Sequence, residues 1–174
     1  MPTPQPPWPS TQFTISTFCV IRPGDPFEEI LPHLPGLGLD CLELNTPLEY
    51  AARDLSPDEV HRVLGLCDRL GLRLIITDHE RLTGVLHPTE QQLQWLLREY
   101  GDSPALGGWY AWDEPHPEHF EGLARTYALL GEMDPTHPVL NAMLPAFGGH
   151  NWPDAYPAFL TRKSQGAARI VISR

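Results

Sequence analysis

Leu106-Gly107-Gly108-Trp109-Tyr110-Ala111-Trp112-Asp113-Glu114-Pro115 is the stretch on which the fold turns. Its first seven residues are apolar, aromatic or glycine, as expected of a buried strand. Two adjacent carboxylates end it, and a proline locks the exit. Polar residues just past the carboxyl end of a buried strand are the mark of parallel α/β architectures, which build their sites there.

Working outward, the same pattern recurs. Strands are expected over residues 13–21, 41–45, 72–77 and 138–144, with one more apolar run at 168–173. Helices alternate with them. The segment 27–34 reads as a short helix. In the next, Ser56 is an N-cap, Pro57 suits the first helical position and Glu59 completes a capping box. Val60, Val63, Leu64, Cys67 and Leu70 fall on one face of that helix, and Gly71 stops it. Thr89 caps a third helix with Leu93, Leu96, Leu97 and Tyr100 inward. A fourth, over 117–133, turns Phe120, Leu123, Ala124, Tyr127 and Leu130 inward. The 20 prolines, about twice the usual share, punctuate these elements.

Strand and helix alternate with a period of roughly 30 residues, the size of one βαβ unit, which implies a parallel sheet covered by helices. Two architectures compete, a doubly wound sheet and a (β/α) barrel. No Gly-rich loop follows the first strand, where a dinucleotide fold would carry one. Polar residues instead collect past several strand ends: Glu43 and Asn45, Asp78-His79-Glu80, and Asp113-Glu114, with Asn141 on the fifth strand. The expectation is a parallel α/β barrel of TIM type, incomplete at five to six of eight βα units, since a full barrel takes about 250 residues and this chain has 174. Residues 1–12 read as a disordered proline-rich tail and 13–174 as the partial barrel, atypical from about 155 onward. The tail at 169–174 departs from the polar and aromatic strand end a sixth unit would carry. A change of reading frame between about 154 and 161 is the expected explanation, and sequencing the locus tests it.

With 22 acidic against 12 basic residues and a formal net charge of -10, the chain lacks the clustered cations of a nucleic-acid binder. No apolar run approaches the roughly 20 residues of a membrane span, and residues 1–10 do not form a signal peptide. Three cysteines without a C-x-x-C spacing, Cys19, Cys41 and Cys67, read as small core residues and suggest a reduced, cytoplasmic compartment.

Adjacent acids at a strand end repel, which tends to raise one of them toward the range a general acid needs. Nearby rings such as Trp112 offer flat faces that suit sugars. Gly-Trp-Tyr-Ala-Trp-Asp-Glu-Pro resembles the fourth strand of barrel glycoside hydrolases of the β-galactosidase and cellulase-like clan, where an Asn-Glu-Pro or Asp-Glu-Pro motif ends that strand. The resemblance implies a carbohydrate substrate, with Glu114 as general acid/base and Asp113 in place of the more usual asparagine. Asp113, Trp112, Glu43, Asn45, Asp78, His79, Glu80 and Asn141 are then candidate substrate-binding residues. Strict alternation would send Asp113 and Glu114 to opposite faces, so a bulge or turn is required. The nucleophile of the clan lies on a seventh strand, so this chain alone is expected to be inactive and, with unpaired edges, poorly soluble. The reading calls for no cofactor and no metal.

Two other readings stay open. Leu39-Asp40-Cys41-Leu42-Glu43-Leu44 is somewhat similar to the second strand of xylose-isomerase-like barrels. A metal-dependent isomerase would need Glu43, Asp78 or His79, and Asp113 or Glu114 to converge. A fragment that binds carbohydrate without turnover, or a decayed copy, is the third possibility.

Overall fold

The computed structural model describes residues 16–18, 21–44 and 55–142. Five strands form one sheet: β1 (Ser16–Phe18), β2 (Cys41–Glu43), β3 (Arg73–Ile76), β4 (Leu106–Asp113) and β5 (Val139–Ala142). Every neighbouring pair is parallel, and the spatial order is the chain order, β1-β2-β3-β4-β5. That order decides between the two architectures. A doubly wound sheet reverses direction at a switch point, whereas a barrel adds each strand beside the last. The molecule is a curled half-barrel, an incomplete (β/α) barrel of TIM type.

Helices α1 (Phe27–Ile30), α2 (Pro57–Leu70), α3 (Glu90–Tyr100) and α4 (Phe120–Met133) supply the outer layer. α2 begins as its sequence requires: Ser56 Oγ accepts the Glu59 N–H and the Glu59 carboxylate accepts the Ser56 N–H. Gly71, at φ 71°, ends it in the left-handed conformation. Thr89 and Gln92 form the same box at the start of α3. The segment 27–34 departs from the expected single helix. Pro32 and Pro35 bring no N–H, so α1 stops after one turn and the chain continues as two 3-10 turns, Leu31–His33 and Pro35–Leu37. The expected start of α4 is likewise a 3-10 turn, Pro117–His119, and Ile21, expected to end the first strand, lies outside it.

Two apolar layers result. The larger joins helices to the outer face of the sheet, with Leu42, Leu74, Ile76, Leu106, Trp109, Ala111 and Val139 meeting Val63, Leu93, Leu123 and Tyr127. The smaller lies on the inner, concave face: Cys41, Ile75, Tyr110 and Leu140. Cys41 and Cys67 are buried free thiols, as expected, and burial pushes both up to about 12. Cys19 lies outside the described residues. Beneath the sheet, the fully buried Trp109 indole donates to Asp134 Oδ2 at 2.8 Å, and the same oxygen meets His137 Nδ1 at 2.8 Å. Burial alone would raise the Asp134 carboxyl, but hydrogen bonds from His137, Thr136 and Trp109 outweigh it and hold the group well below the carboxylate range.

Candidate functional site at the carboxyl ends of the strands

β4 is built irregularly, and the irregularities place its last residues. Its pairing with β3 slips between Leu74 and Ile75, which pair with Leu106 and Gly108. Gly108 has φ 152° there, and a Cβ on it would lie 2.7 Å from the Pro138 carbonyl oxygen. Only glycine fits. A second slip falls against β5: Tyr110 pairs with Leu140, but Trp112 pairs with Asn141 and Asp113 with Ala142. One extra residue therefore sits between Tyr110 and Trp112. Ala111 and Trp112 both turn to the helix side, and Tyr110 and Asp113, three residues apart, share the inner face. This bulge lies before the acidic pair, so it sets Tyr110 and Asp113 on one face and leaves the relative facing of Asp113 and Glu114 as it was.

The loop after β3 ties down the bulge. Thr83 Oγ1 donates to the Tyr110 carbonyl at 2.6 Å and accepts the Asp78 N–H at 3.0 Å, while the Gly84 N–H reaches the Ala111 carbonyl at 2.9 Å. Carbonyls at the irregular stretch of β4 are thus paired by a neighbouring loop. Asp78 shapes that loop. Its Oδ1 accepts the Glu80 and Arg81 N–H groups at 3.1 and 2.8 Å, and its Oδ2 pairs with Arg81 Nη1 at 3.0 Å. Arg81 in turn stacks on Trp95, 3.9 Å from the ring centroid. Glu80 is exposed and pairs with the same guanidinium. His79 is half-buried beside Asp78.

On the inner face, Tyr110 Oη accepts the Ala142 N–H at 3.2 Å and donates to Asp113 Oδ1 at 3.0 Å. Glu43 is half-buried at the end of β2, on the inner face with Cys41. Burial first, and then the negative charge of Asp113, push its carboxyl up to about 7. Burial also drives the Tyr110 phenol far above its ordinary range, with Asp113 and Glu43 adding to the rise. Glu114 follows with φ 45°, among the described residues the one non-glycine with positive φ, and its N–H donates to the Ala142 carbonyl at 3.1 Å. Its side chain is exposed at the same strand end as Asp113.

The candidates therefore divide. Glu43, Asp113 and Glu114 collect at the carboxyl ends of β2 and β4. Asp78 and Glu80 sit in the adjoining loop, where Asp78 is engaged in turn formation. Trp112 points away from them and packs on His119, ring centroids 4.6 Å apart. Asn141 also faces the helices, where its Oδ1 accepts from the Tyr127 hydroxyl. Asn45 lies outside the described residues, as does the tail at 169–174. Tyr110 was not among the sequence candidates, because strict alternation groups it with Trp112 and not with Asp113. The described residues contain no group of three or more His, Cys, Asp or Glu side chains placed to share a metal ion, so the convergence needed by an isomerase-like site is not formed among them. No helix among them is long and apolar enough to cross a membrane.

Fold and strand-end polarity define a half-barrel of the TIM class with an acidic carboxyl mouth. No protein-family model matches the sequence, and no curated protein matches it. Solved structures do. The chain is similar to a family 51 α-L-arabinofuranosidase from Bifidobacterium longum, with a TM-score of 0.56 and 12% identity over 90% of this chain and 42% of that one. It is also similar to a β-mannanase from the blue mussel Mytilus edulis, with a TM-score of 0.52 and 15% identity over 84% of this chain and 61% of that one. It thus spans less than two thirds of either. Identities this low establish the barrel and leave the activity to the residues of the site.

Proposed function

We propose that this chain is a glycoside hydrolase-like barrel domain that binds a carbohydrate at the carboxyl ends of its strands, with Glu114 as general acid/base. The observation that supports the reading is the end of β4, where Asp113 closes the strand and Glu114 follows it in a left-handed conformation, so that both carboxylates belong to one strand end. Both solved structures named above are glycosidases, which supports the carbohydrate class. In a retaining mechanism one carboxylic acid protonates the leaving oxygen while a second carboxylate, about 5–5.5 Å away, attacks the anomeric carbon. The resembled clan takes the second group from a seventh strand, and five strands are described here. The chain by itself then binds without turning over.

Titration calorimetry of the full chain against a panel of neutral oligosaccharides, with aryl glycosides as turnover probes, tests this. Saturable binding of at least one oligosaccharide, weakened by Glu114→Gln and without turnover above background, is expected. No binding across the panel overturns the carbohydrate reading, and robust turnover by the monomer overturns the inactive state. No observation favours the metal-dependent reading over this one.

A further inference from the structure

The Tyr110 ring is buried in the apolar layer of the inner face with Cys41, Ile75 and Leu140. Its hydroxyl meets two polar partners, the Ala142 N–H at 3.2 Å and Asp113 Oδ1 at 3.0 Å. The direction of both bonds is fixed. A backbone N–H can only donate, so the phenol oxygen accepts from Ala142 and its single hydrogen goes to Asp113. Asp113 and Ala142 are register partners, so the hydroxyl bridges the last pair of β4 and β5. Regular alternation would send Tyr110 and Asp113 to opposite faces, and the bulge between them is what lets them meet. Asp113 itself is exposed. An exposed carboxylate with no other support samples several rotamers. Here Oδ1 is engaged by a hydroxyl that a packed ring cannot swing away, while Oδ2 has no hydrogen-bond partner among the described residues.

We propose that Tyr110 is a positioning residue that holds the Asp113 carboxylate by Oδ1 in one rotamer, so that Oδ2 is presented at the mouth as an acceptor for a sugar hydroxyl. The sugar contact rests on the carbohydrate reading above, whereas the held rotamer does not. The gain is preorganisation. An unheld Asp113 would lose its rotamer freedom on binding, which weakens affinity by about two- to tenfold. The same residue of β5 also anchors the next acid, because the Glu114 N–H donates to the Ala142 carbonyl at 3.1 Å.

Two readouts test this, the first without sugar. In the isotope-labelled full chain, three-bond couplings from the Asp113 carboxyl carbon to its own backbone nitrogen and carbonyl carbon report χ1. Wild type is expected to show a single rotamer, and Tyr110→Phe, which removes one hydroxyl from a packed ring, to show averaged couplings. Averaged couplings in wild type overturn the proposal, and so does a single rotamer that persists in Tyr110→Phe. Should Tyr110→Phe fail to fold, cross-relaxation between the Tyr110 hydroxyl proton and the Asp113 β-protons in wild type takes its place, and its absence overturns the proposal. In the second readout, calorimetry with a bound oligosaccharide, Tyr110→Phe should weaken affinity by about two- to tenfold and cost nothing further in an Asp113→Ala background. A Tyr110 that only ties β4 to β5 would give equal losses in the two backgrounds, or none, and either result overturns its role in binding. Couplings that behave as expected, with no sugar bound by any variant, uphold the held rotamer and overturn the carbohydrate reading with the sugar contact that rests on it.

Discussion

Glu114 has φ 45° and is followed by Pro115, which itself narrows the preceding residue toward extended conformations. A left-handed, non-glycine residue is strained by about 1–2 kcal/mol, and such strain gathers at functional sites. Glu114→Gly should therefore be about 1 kcal/mol more stable than Glu114→Ala in paired denaturant melts, while both lose whatever the carboxyl does. If the two variants melt alike, the strain is absent. For Glu43 the sign of the pH effect follows from its direction. Its folded value, about 7, lies above the ordinary 4.5, so the native state keeps a proton that the unfolded chain releases. Stability is then lost as pH rises between those values and is level beyond. Glu43→Gln removes that slope, and its stability relative to wild type should improve by about 1–3 kcal/mol between about pH 5 and 8, read from urea melts. At this scale the sequence showed which residue types could carry chemistry. It could not show that Asp78 is engaged by its own loop, because the partners, the Arg81 guanidinium and the N–H groups of Glu80 and Arg81, become available only once the turn has formed.

Among the elements, α2 was the most legible because everything that defines it is local: a capping box, a proline at the first turn, an apolar stripe and a terminal glycine. β4 was legible as a strand and misleading as a pattern. Period-two reading places Tyr110 with Trp112, whereas the bulge places it with Asp113. A bulge is stabilised by what receives its carbonyls, here Thr83 and Gly84 from a loop 27 residues earlier in the chain. The glycines of β4 belong to the same account. Gly108→Ala should lose about 2–3 kcal/mol, because the new Cβ meets the Pro138 carbonyl oxygen at 2.7 Å with φ 152°. Gly131→Ala in α4, where a Cβ meets nothing within 4 Å, is the control and should be neutral or slightly stabilising. Equal melts for the two variants would mean that β4 does not pass β5 this closely.

For the whole molecule, β1 and β5 each have a single strand partner among the described residues, and an open parallel edge is a template for another chain. A net charge of -10 opposes that contact. Salt shortens the reach of this repulsion, from about 20 Å at 20 mM to about 4 Å at 500 mM. Sedimentation velocity should therefore show association rising with salt, and a monomer under both conditions would mean that the edges are protected. The sequence by itself determined the alternation of strands and helices, the helix caps, the buried character of β3 and β4 and the gathering of acids past strand ends. Each of these is set by neighbours within about one turn or one pleat. Tertiary structure alone decided the strand order that makes a half-barrel, the removal of Trp112 and Asn141 to the helix side, and the pairing of Tyr110 with Asp113. The physical reason is that register and face depend on hydrogen bonds between segments about 25 to 35 residues apart, which no local pattern encodes.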